Sequence, residues 1–567
     1  MTGPAAWSWA AALVGVGALG GGDACIRPND LLARGKHGVV VTAEPHATRV
    51  GLDILAAGGN AVDAAVGIAL TLAVTHPQAG NLGGGGFLLL RLADGTTTAI
   101  DFRERAPRAA TADMYLRADG SFDEDKAQYG ASAAGVPGSP AGLLFALQKY
   151  GTRSLPSVAR PAIQLAREGI VVDQFLAADL EAEKKHLRRF PATRQIFFRG
   201  DEPLRQGDLL VQPDLAATLE RFAERGLAGF YGGRTAELIV QTMQQGGGLV
   251  SAGDLADYAP VERAPLRGSY RGREVISMPP PSSGGVALLQ MLNLLEPHDL
   301  AGLGFGGSEY LHLLTEVMRR AYADRARWLG DPDHYAVPVA GLVSKEYAAQ
   351  LQRSIDRSKM SKVAPGLPPG GKESDDTTHF SVVDKDGNAV ACTTTINNTF
   401  GCAAVVAGAG FLLNDEMDDF SAKPGEPNQF GLVGGKANSI APQKRMLSSM
   451  TPTIVLEGGQ LRYVLGAPGG GRIITAVLQV LLDVVDHGMD LESAVRAPRI
   501  HHQWLPERLR WEEFSLAPDV RAALAAKGHQ FDQKPHGVGR VFAIEVATDG
   551  TRIGVCDHRS GGSAAAY

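Results

Sequence analysis

The chain has 567 residues, of which 44% are hydrophobic and 20% charged, with a formal net charge of −6. That balance fits a soluble globular protein longer than one typical domain. Charges of both signs are spread without a basic stripe, so nucleic-acid binding is not expected. The 70 glycines exceed the ordinary share of about 7%, and they cluster at residues 83–86, 246–248 and 469–471. Such clusters mark tight turns and close backbone approach rather than a repeat.

In chain order, residues 1–25 read as an export signal. An apolar run over 5–19 is too short to span a bilayer comfortably and ends in glycines and Asp23, although no Lys or Arg precedes it. The expected location is periplasmic or secreted. Cys25 could carry a lipid anchor, but Gly22 stands where a lipoprotein signal has an aliphatic residue; the alternative is an ordinary thiol. No other segment approaches transmembrane length. A strand is predicted over 38–42, then helices over 46–56 and 60–74, the second capped by Asn60. Strands over 87–91 and 96–101 flank an Asp94-Gly95 turn. Residues 143–328 are expected to be mostly helical, most clearly at 209–222 and 309–325.

Composition changes at residues 361–376, where Pro365, Pro368, Pro369 and several glycines predict an exposed, irregular connection. Strands follow over 377–384 and 389–396, then 451–456 and 461–466. A helix begins after Pro468-Gly469-Gly470-Gly471 and stops near Gly488. Alternation puts Thr377, His379, Ser381 and Val383 on one face of their strand, and Thr393, Thr395 and Asn397 on one face of its partner. Those residues could line a pocket; they could equally be a solvated face, since Thr is simply a good strand former.

Threonine becomes a nucleophile when a base sits beside it, and a chain-terminal threonine carries its own α-amine. A break between Asp376 and Thr377 would create that group. The glycines at 469–471 offer a helix-terminal anion pocket or a plain turn. Residues 366–372 have Walker-loop spacing, but Glu373 replaces the magnesium-binding Ser or Thr and two prolines interrupt the loop. There is no His-Glu-x-x-His, His501 and His502 are adjacent, and no Gly-x-Ser-x-Gly elbow occurs. Ser282-Ser283 and Ser448-Ser449 read as turn residues on pattern alone. The acidic group Glu416, Asp418 and Asp419 follows an apolar run and is placed at a strand end. Cys392 and Cys402 could pair across a short loop.

Several segments in one order resemble the γ-glutamyltransferase (γ-glutamyl transpeptidase) family. They are Thr377-Thr378-His379-Phe380-Ser381-Val382-Val383-Asp384, Leu413-Asn414-Asp415-Glu416-Met417-Asp418-Asp419, Leu447-Ser448-Ser449-Met450-Thr451-Pro452 and Gly466-Ala467-Pro468-Gly469-Gly470-Gly471-Arg472. Upstream, Asn81-Leu82-Gly83-Gly84-Gly85-Gly86, Asp101-Phe102-Arg103-Glu104 and Met278-Pro279-Pro280-Pro281-Ser282-Ser283 match as well.

The resemblance implies an α+β fold, the αββα sandwich of N-terminal-nucleophile hydrolases. It also implies self-cleavage into a large subunit, residues 26–376, and a small one, residues 377–567, that together form one intertwined domain. Thr377 would be the nucleophile and its amine the base, with Thr395 positioning that amine. Gly469 and Gly470 would supply the oxyanion N–H groups. The donor's α-carboxylate would meet Arg103, Ser448 and Ser449, and its α-ammonium Asn397, Glu416 and Asp419. No cofactor or metal is implied. The implied substrates are glutathione and related γ-glutamyl compounds, with water or an amino acid or peptide as acceptor.

Two departures stand out. Asp376, in a run of two acids, precedes the cut where the family varies, and Phe430 stands where many lid-bearing members have tyrosine and its hydroxyl. The rival readings are a related acylase acting on glutaryl side chains, and an uncleaved binding protein.

Overall fold

The computed structural model describes residues 30–363, 377–423, 425, 428 and 431–567. The expected export signal with Cys25, most of the Pro/Gly-rich connection including Asp376, and Phe430 lie outside the described residues. Among the described residues, no helix is long and apolar enough to cross a membrane.

Two seven-stranded antiparallel sheets form the centre. One runs, edge to edge, Leu32–Gly35, Arg552–Cys556, Phe542–Val546, Gln460–Gly466, Thr453–Glu457, Arg273–Ser277 and Leu266–Tyr270. The other runs Ser563–Ala566, Val39–Thr42, Thr378–Val383, Ala389–Thr395, Gly85–Arg91, Thr97–Asp101 and Val261–Arg263. Period-two alternation sorts the second sheet's side chains into two cores. Val40, Phe380, Val382, Leu88 and Leu90 join one core with helix Ala61–Thr75. Val39, Val41, Val383, Ala391, Phe87 and Leu89 point the other way, into a core shared with Val464, Leu465, Phe542 and Ile544 of the first sheet. Helices Gly284–Leu295, Ser308–Trp328 and Arg472–Val485 belong to that same core and cover the first sheet's far side. The layers are therefore helix, sheet, sheet, helix, as the resemblance implies.

Local signals explain several elements. Asn60 caps helix Ala61–Thr75 with a full capping box to Asp63, and all fifteen residues of that helix are buried. The helical reading of residues 143–328 is corrected near its end, where Val261–Arg263, Leu266–Tyr270 and Arg273–Ser277 are strands. These short outer strands carry arginines and glutamates. Partners distant in sequence hold them, Arg273–Ser277 pairing with Thr453–Glu457, so local periodicity does not reveal them. The proposed Cys392–Cys402 bridge is also corrected: both thiols are free and buried. Cys392 faces Phe380 and Leu88 across its two neighbouring strands, so the turn bearing Cys402 does not lie opposite it.

A polar wedge sits between the sheets. His379 hydrogen-bonds Thr393 Oγ1 (2.8 Å) and Ser381 Oγ (3.1 Å), and the Ser381 hydroxyl also donates to the Phe542 carbonyl (3.1 Å). Burial pulls the imidazole down to about 3, so it is neutral at physiological pH. The ring fits because Gly466 lies beneath it: a Cβ there would stand 2.0 Å from His379 Cε1. Gly466→Ala is accordingly expected to destabilise the fold by about 1–3 kcal/mol through overpacking. Chemical denaturation checks this, with Gly458→Ala as the open-space, positive-φ turn control.

Candidate active site

Strand register places the threonines. Thr378 pairs with Thr394 and His379 with Thr393, which sets Thr377 beside Thr395, with their hydroxyl oxygens 3.5 Å apart. Thr395 Oγ1 accepts the backbone N–H of Asn397 (2.8 Å). Asn397 adopts a left-handed φ of 78°, a conformation asparagine tolerates better than most residues. Its side-chain amide donates to the Asp415 carbonyl (3.1 Å), so its own oxygen stays an acceptor.

One small cavity is lined by Arg103, Thr377, Thr395, Asn397, Asp419, Ser448, Ser449 and Gly470. Eight of the ten positions expected from sequence thus share a wall. Glu416 lies behind that wall, fully buried and 2.5 Å from the Arg103 guanidinium. Gly469 faces a different cavity. The acidic group is not a strand end, as the sequence suggested, but a 3-10 turn, Glu416–Asp419. The turn aims Glu416 and Asp419 at one arginine.

Arg103 is 1% exposed and touches three carboxylates: Glu416, Asp419 and, at 3.5 Å, Glu104. Burial alone would lower its pKa, but Glu416, Asp419 and Glu104 together push it above the ordinary value. The acids respond in the opposite sense. Burial raises Glu416 well above the carboxylate range and raises Asp419 less, with Arg103 opposing both shifts; burial pushes Glu104 up to about 8. Neither Glu416 oxygen accepts an aligned hydrogen bond. Three acids thus share the Arg103 guanidinium, and Asp419 also feels a second arginine, Arg325. The cavity holds only about 20 Å³, room for a single water.

The opposite wall carries hydroxyls. Ser448 Oγ accepts the Met450 N–H (3.1 Å), and Ser449 Oγ accepts from Arg325 (3.1 Å). Each hydroxyl hydrogen can therefore point at an anion. Arg325 was not identified from sequence. It sits in the last turn of helix Ser308–Trp328, lines the cavity, and also donates to Ser283 Oγ (3.0 Å). Arg319, Arg320 and Arg325 of this helix are all buried, which its polar, charge-rich sequence does not reveal. Ser282 and Ser283 are scaffold residues: their hydroxyls donate to the Met450 and Ser448 carbonyls, both at 2.6 Å.

The glycine loop completes the cavity. Gly469 and Gly470 have φ of 131° and 53°, a region that disfavours any side chain. Among the described residues neither N–H donates to a protein acceptor. The following helix, Arg472–Val485, adds its N-terminal dipole, and the Tyr322 hydroxyl pins the loop through the Gly471 carbonyl. Such N–H groups can receive an oxyanion.

The arrangement can hold a carbon bearing an ammonium and a carboxylate, with a threonine hydroxyl and N–H donors at its far end. Comparisons with known proteins agree. The Gamma-glutamyltranspeptidase family model matches residues 47–567. The glutathione hydrolase proenzyme of Escherichia coli (strain K12) is 50% identical over 532 residues, which is 93% of this chain and 91% of that relative. Among solved structures, the cephalosporin acylase from Bacillus halodurans superposes with a TM-score of 0.83 at 26% identity, covering 97% of this chain and 99% of that one. The gamma-glutamyltranspeptidase of Helicobacter pylori gives 0.56 at 44% identity, covering 57% of this chain and 94% of that one.

Raised carboxyl pKa values in the empty pocket have a measurable consequence. An arriving ammonium favours the ionised carboxylates, so binding should release protons, and affinity should fall as pH drops. Calorimetry of L-glutamate binding in buffers of different ionisation enthalpy is expected to show that release, and Glu416→Gln to reduce it.

Proposed function

The chain belongs to the gamma-glutamyltranspeptidase family, and on that premise we propose how its own residues carry out γ-glutamyl transfer and hydrolysis. The protein is a self-processing enzyme of the N-terminal-nucleophile type, as its glutathione hydrolase proenzyme relatives are named. We assign the cut to the Asp376–Thr377 bond, dividing residues 26–376 from residues 377–567. The observation that carries the assignment is the placement of Thr377 at the head of its strand, with its hydroxyl beside Thr395 and in one cavity with Gly470.

Once cleaved, Thr377 has an α-amine whose ordinary pKa is about 7.7–8.0, so roughly a tenth to a sixth of it is free base at pH 7. That amine takes the proton from Oγ1 as the hydroxyl attacks the γ-carbonyl carbon of glutathione or a related donor. The oxyanion is received by Gly470, with Gly469 beside it, and collapse expels the leaving amine with the proton held by the Thr377 amine. A γ-glutamyl ester on Thr377 remains. Water or an amino acid or peptide amine then attacks the ester carbonyl, and the bond to Oγ1 breaks.

Recognition follows from charge. The donor's α-ammonium joins Glu416, Asp419 and the Asn397 oxygen. Its α-carboxylate takes Arg103, Ser448 and Ser449, with Arg325 orienting the Ser449 hydroxyl. Leaving either charge buried without a partner would be strongly unfavourable. A glutaryl group has no ammonium and would leave Glu416 and Asp419 uncompensated. This is why the γ-glutamyl reading is preferred over the acylase reading despite the shared fold.

Processing should give two bands on denaturing electrophoresis, with the smaller fragment beginning at Thr377; Thr377→Ala should stay intact. An alanine variant that still splits there would overturn the self-cleavage mechanism. The mature enzyme should turn over γ-glutamyl anilide at least about a hundredfold faster than a glutaryl amide, on the scale of one unpaired buried charge. Faster glutaryl turnover would reject the assignment.

A further inference from the structure

Two side chains of helix Ser308–Trp328, Tyr322 and Arg325, stand three residues apart and so share one face. Arg325 donates to Ser283 Oγ (3.0 Å) and Ser449 Oγ (3.1 Å), at the serine wall of the pocket. Tyr322, 1% exposed, donates its hydroxyl to the Gly471 carbonyl, at the glycine turn. One helix thus touches both the serine wall and the turn that enclose the cavity at Thr377. The helix is itself fixed. Buried Glu316 accepts from Arg319 (2.6 Å) and Arg320 (2.8 Å), and those arginines also donate to the Ser361 (2.9 Å) and Ser354 (2.6 Å) carbonyls.

The turn needs a hold from outside. Glycine populates positive and negative φ about equally readily, so three in a row define no conformation by themselves. Within the turn, the Gly469 carbonyl accepts the Arg472 N–H (3.0 Å) and the Gly470 carbonyl the Ile473 N–H (3.2 Å). The Gly471 carbonyl accepts the Tyr322 hydroxyl, from 149 residues away in sequence. The Tyr322 ring packs edge-on against His501, with centroids 5.5 Å apart. His501 hydrogen-bonds Thr475 Oγ1 (2.8 Å) and Gln503 Oε1 (3.0 Å), and Thr475 belongs to the helix that starts at Arg472. Burial raises the Tyr322 pKa above its ordinary value and pulls His501 down to about 3. At physiological pH the phenol therefore stays a donor and the imidazole stays neutral.

We propose that Tyr322 is a positioning residue for the oxyanion: its hydroxyl fixes the turn at residues 469–471 so that the Gly470 N–H meets the oxygen of the tetrahedral intermediate. The inference rests on the γ-glutamyl-ester reading above. Tyr322 touches no reacting atom; it acts through the turn. Oxyanion charge develops in the transition state, so a displaced turn weakens transition-state stabilisation and leaves donor binding as it was. Arg325 differs, because the Ser449 hydroxyl it orients meets the donor's α-carboxylate in the bound donor and the transition state alike. The two residues should therefore separate in kinetics, Tyr322 in kcat and Arg325 in KM. After the cut, Tyr322 lies in the large subunit and the turn in the small one, so the oxyanion donors are held across the subunit boundary.

The test uses the processed full chain with L-γ-glutamyl-p-nitroanilide and no acceptor. Tyr322→Phe removes one oxygen and keeps the ring against His501. It should lower kcat about ten-fold or more, the scale of a small misplacement at the reacting centre, with donor KM within about two-fold. Arg325→Lys should instead raise donor KM about five-fold, with a smaller change in kcat. A second readout is the glutamate analogue with a boronic acid in place of the γ-carboxyl. Its boron bonds to Thr377 Oγ1, whose proton passes to the Thr377 amine, leaving a tetrahedral anion at the turn. Tyr322→Phe should weaken binding of this analogue by the factor lost in kcat, while L-glutamate binding holds. His501→Gln keeps the hydroxyl but removes the ring behind it; it should lower kcat in the same sense by less, and it carries the test if Tyr322→Phe fails to mature. Unchanged kcat in the variant that matures overturns the proposal. Equal weakening of the analogue and L-glutamate, as a loosened structure would give, also overturns it, and so does failure of both variants to mature. A wild type that releases no nitroaniline would instead sink the γ-glutamyl-ester reading, so the two failures are distinguishable.

Discussion

The geometry of this site depends on the register between strands Thr378–Val383 and Ala389–Thr395. Pairing Thr378 with Thr394 sets Thr377 against Thr395. A slip of one residue would turn every side chain of the strand to the other face. His379 and Ser381 would then meet the apolar helix layer, and Phe380 and Val382 would enter the space above Gly466. The hydrogen bonds of His379 to Thr393 and Ser381 lock that register from inside the sandwich. A polar wedge two residues from the nucleophile thus fixes where the nucleophile points.

Electrostatic design follows from this placement. Arg103 is buried among three carboxylates, and a second arginine, Arg325, lines the same cavity. Burial chiefly raises the pKa values of these acids, with Arg103 opposing it. Under the proposed function, a ligand ammonium would favour their ionised forms. Arg325, on a helix from the opposite layer, orients a serine hydroxyl toward the other end of the same ligand. The cavity is therefore built by both halves of the sandwich, and under the proposed function recognition of a zwitterion would depend on their packing.

The glycine turn at residues 469–471 separates two environments. One side is closed, charged and nearly filled; the other is wide and open to solvent. A chemistry that holds an acyl group tightly while exchanging its amine partners needs that asymmetry. The positive φ of Gly469 and Gly470 lets backbone N–H groups stand at the boundary without side chains blocking either space.

Much of this was legible in the sequence. The alternation along residues 377–383, the Asn60 cap, the turn glycines and the motif residues Arg103, Asn397, Asp419, Ser448 and Ser449 all lie where local pattern or resemblance put them. Local rules suffice there because strand faces, caps and turns depend on neighbours a few residues away. Tertiary structure alone decided the rest. It made outer strands of residues 261–277, kept Cys392 and Cys402 apart, and turned Glu416–Asp419 onto Arg103. It also brought Arg325 into the cavity that Thr377 lines. Each of these joins segments separated by tens to hundreds of residues, and such contacts follow from how layers pack, which no local periodicity encodes.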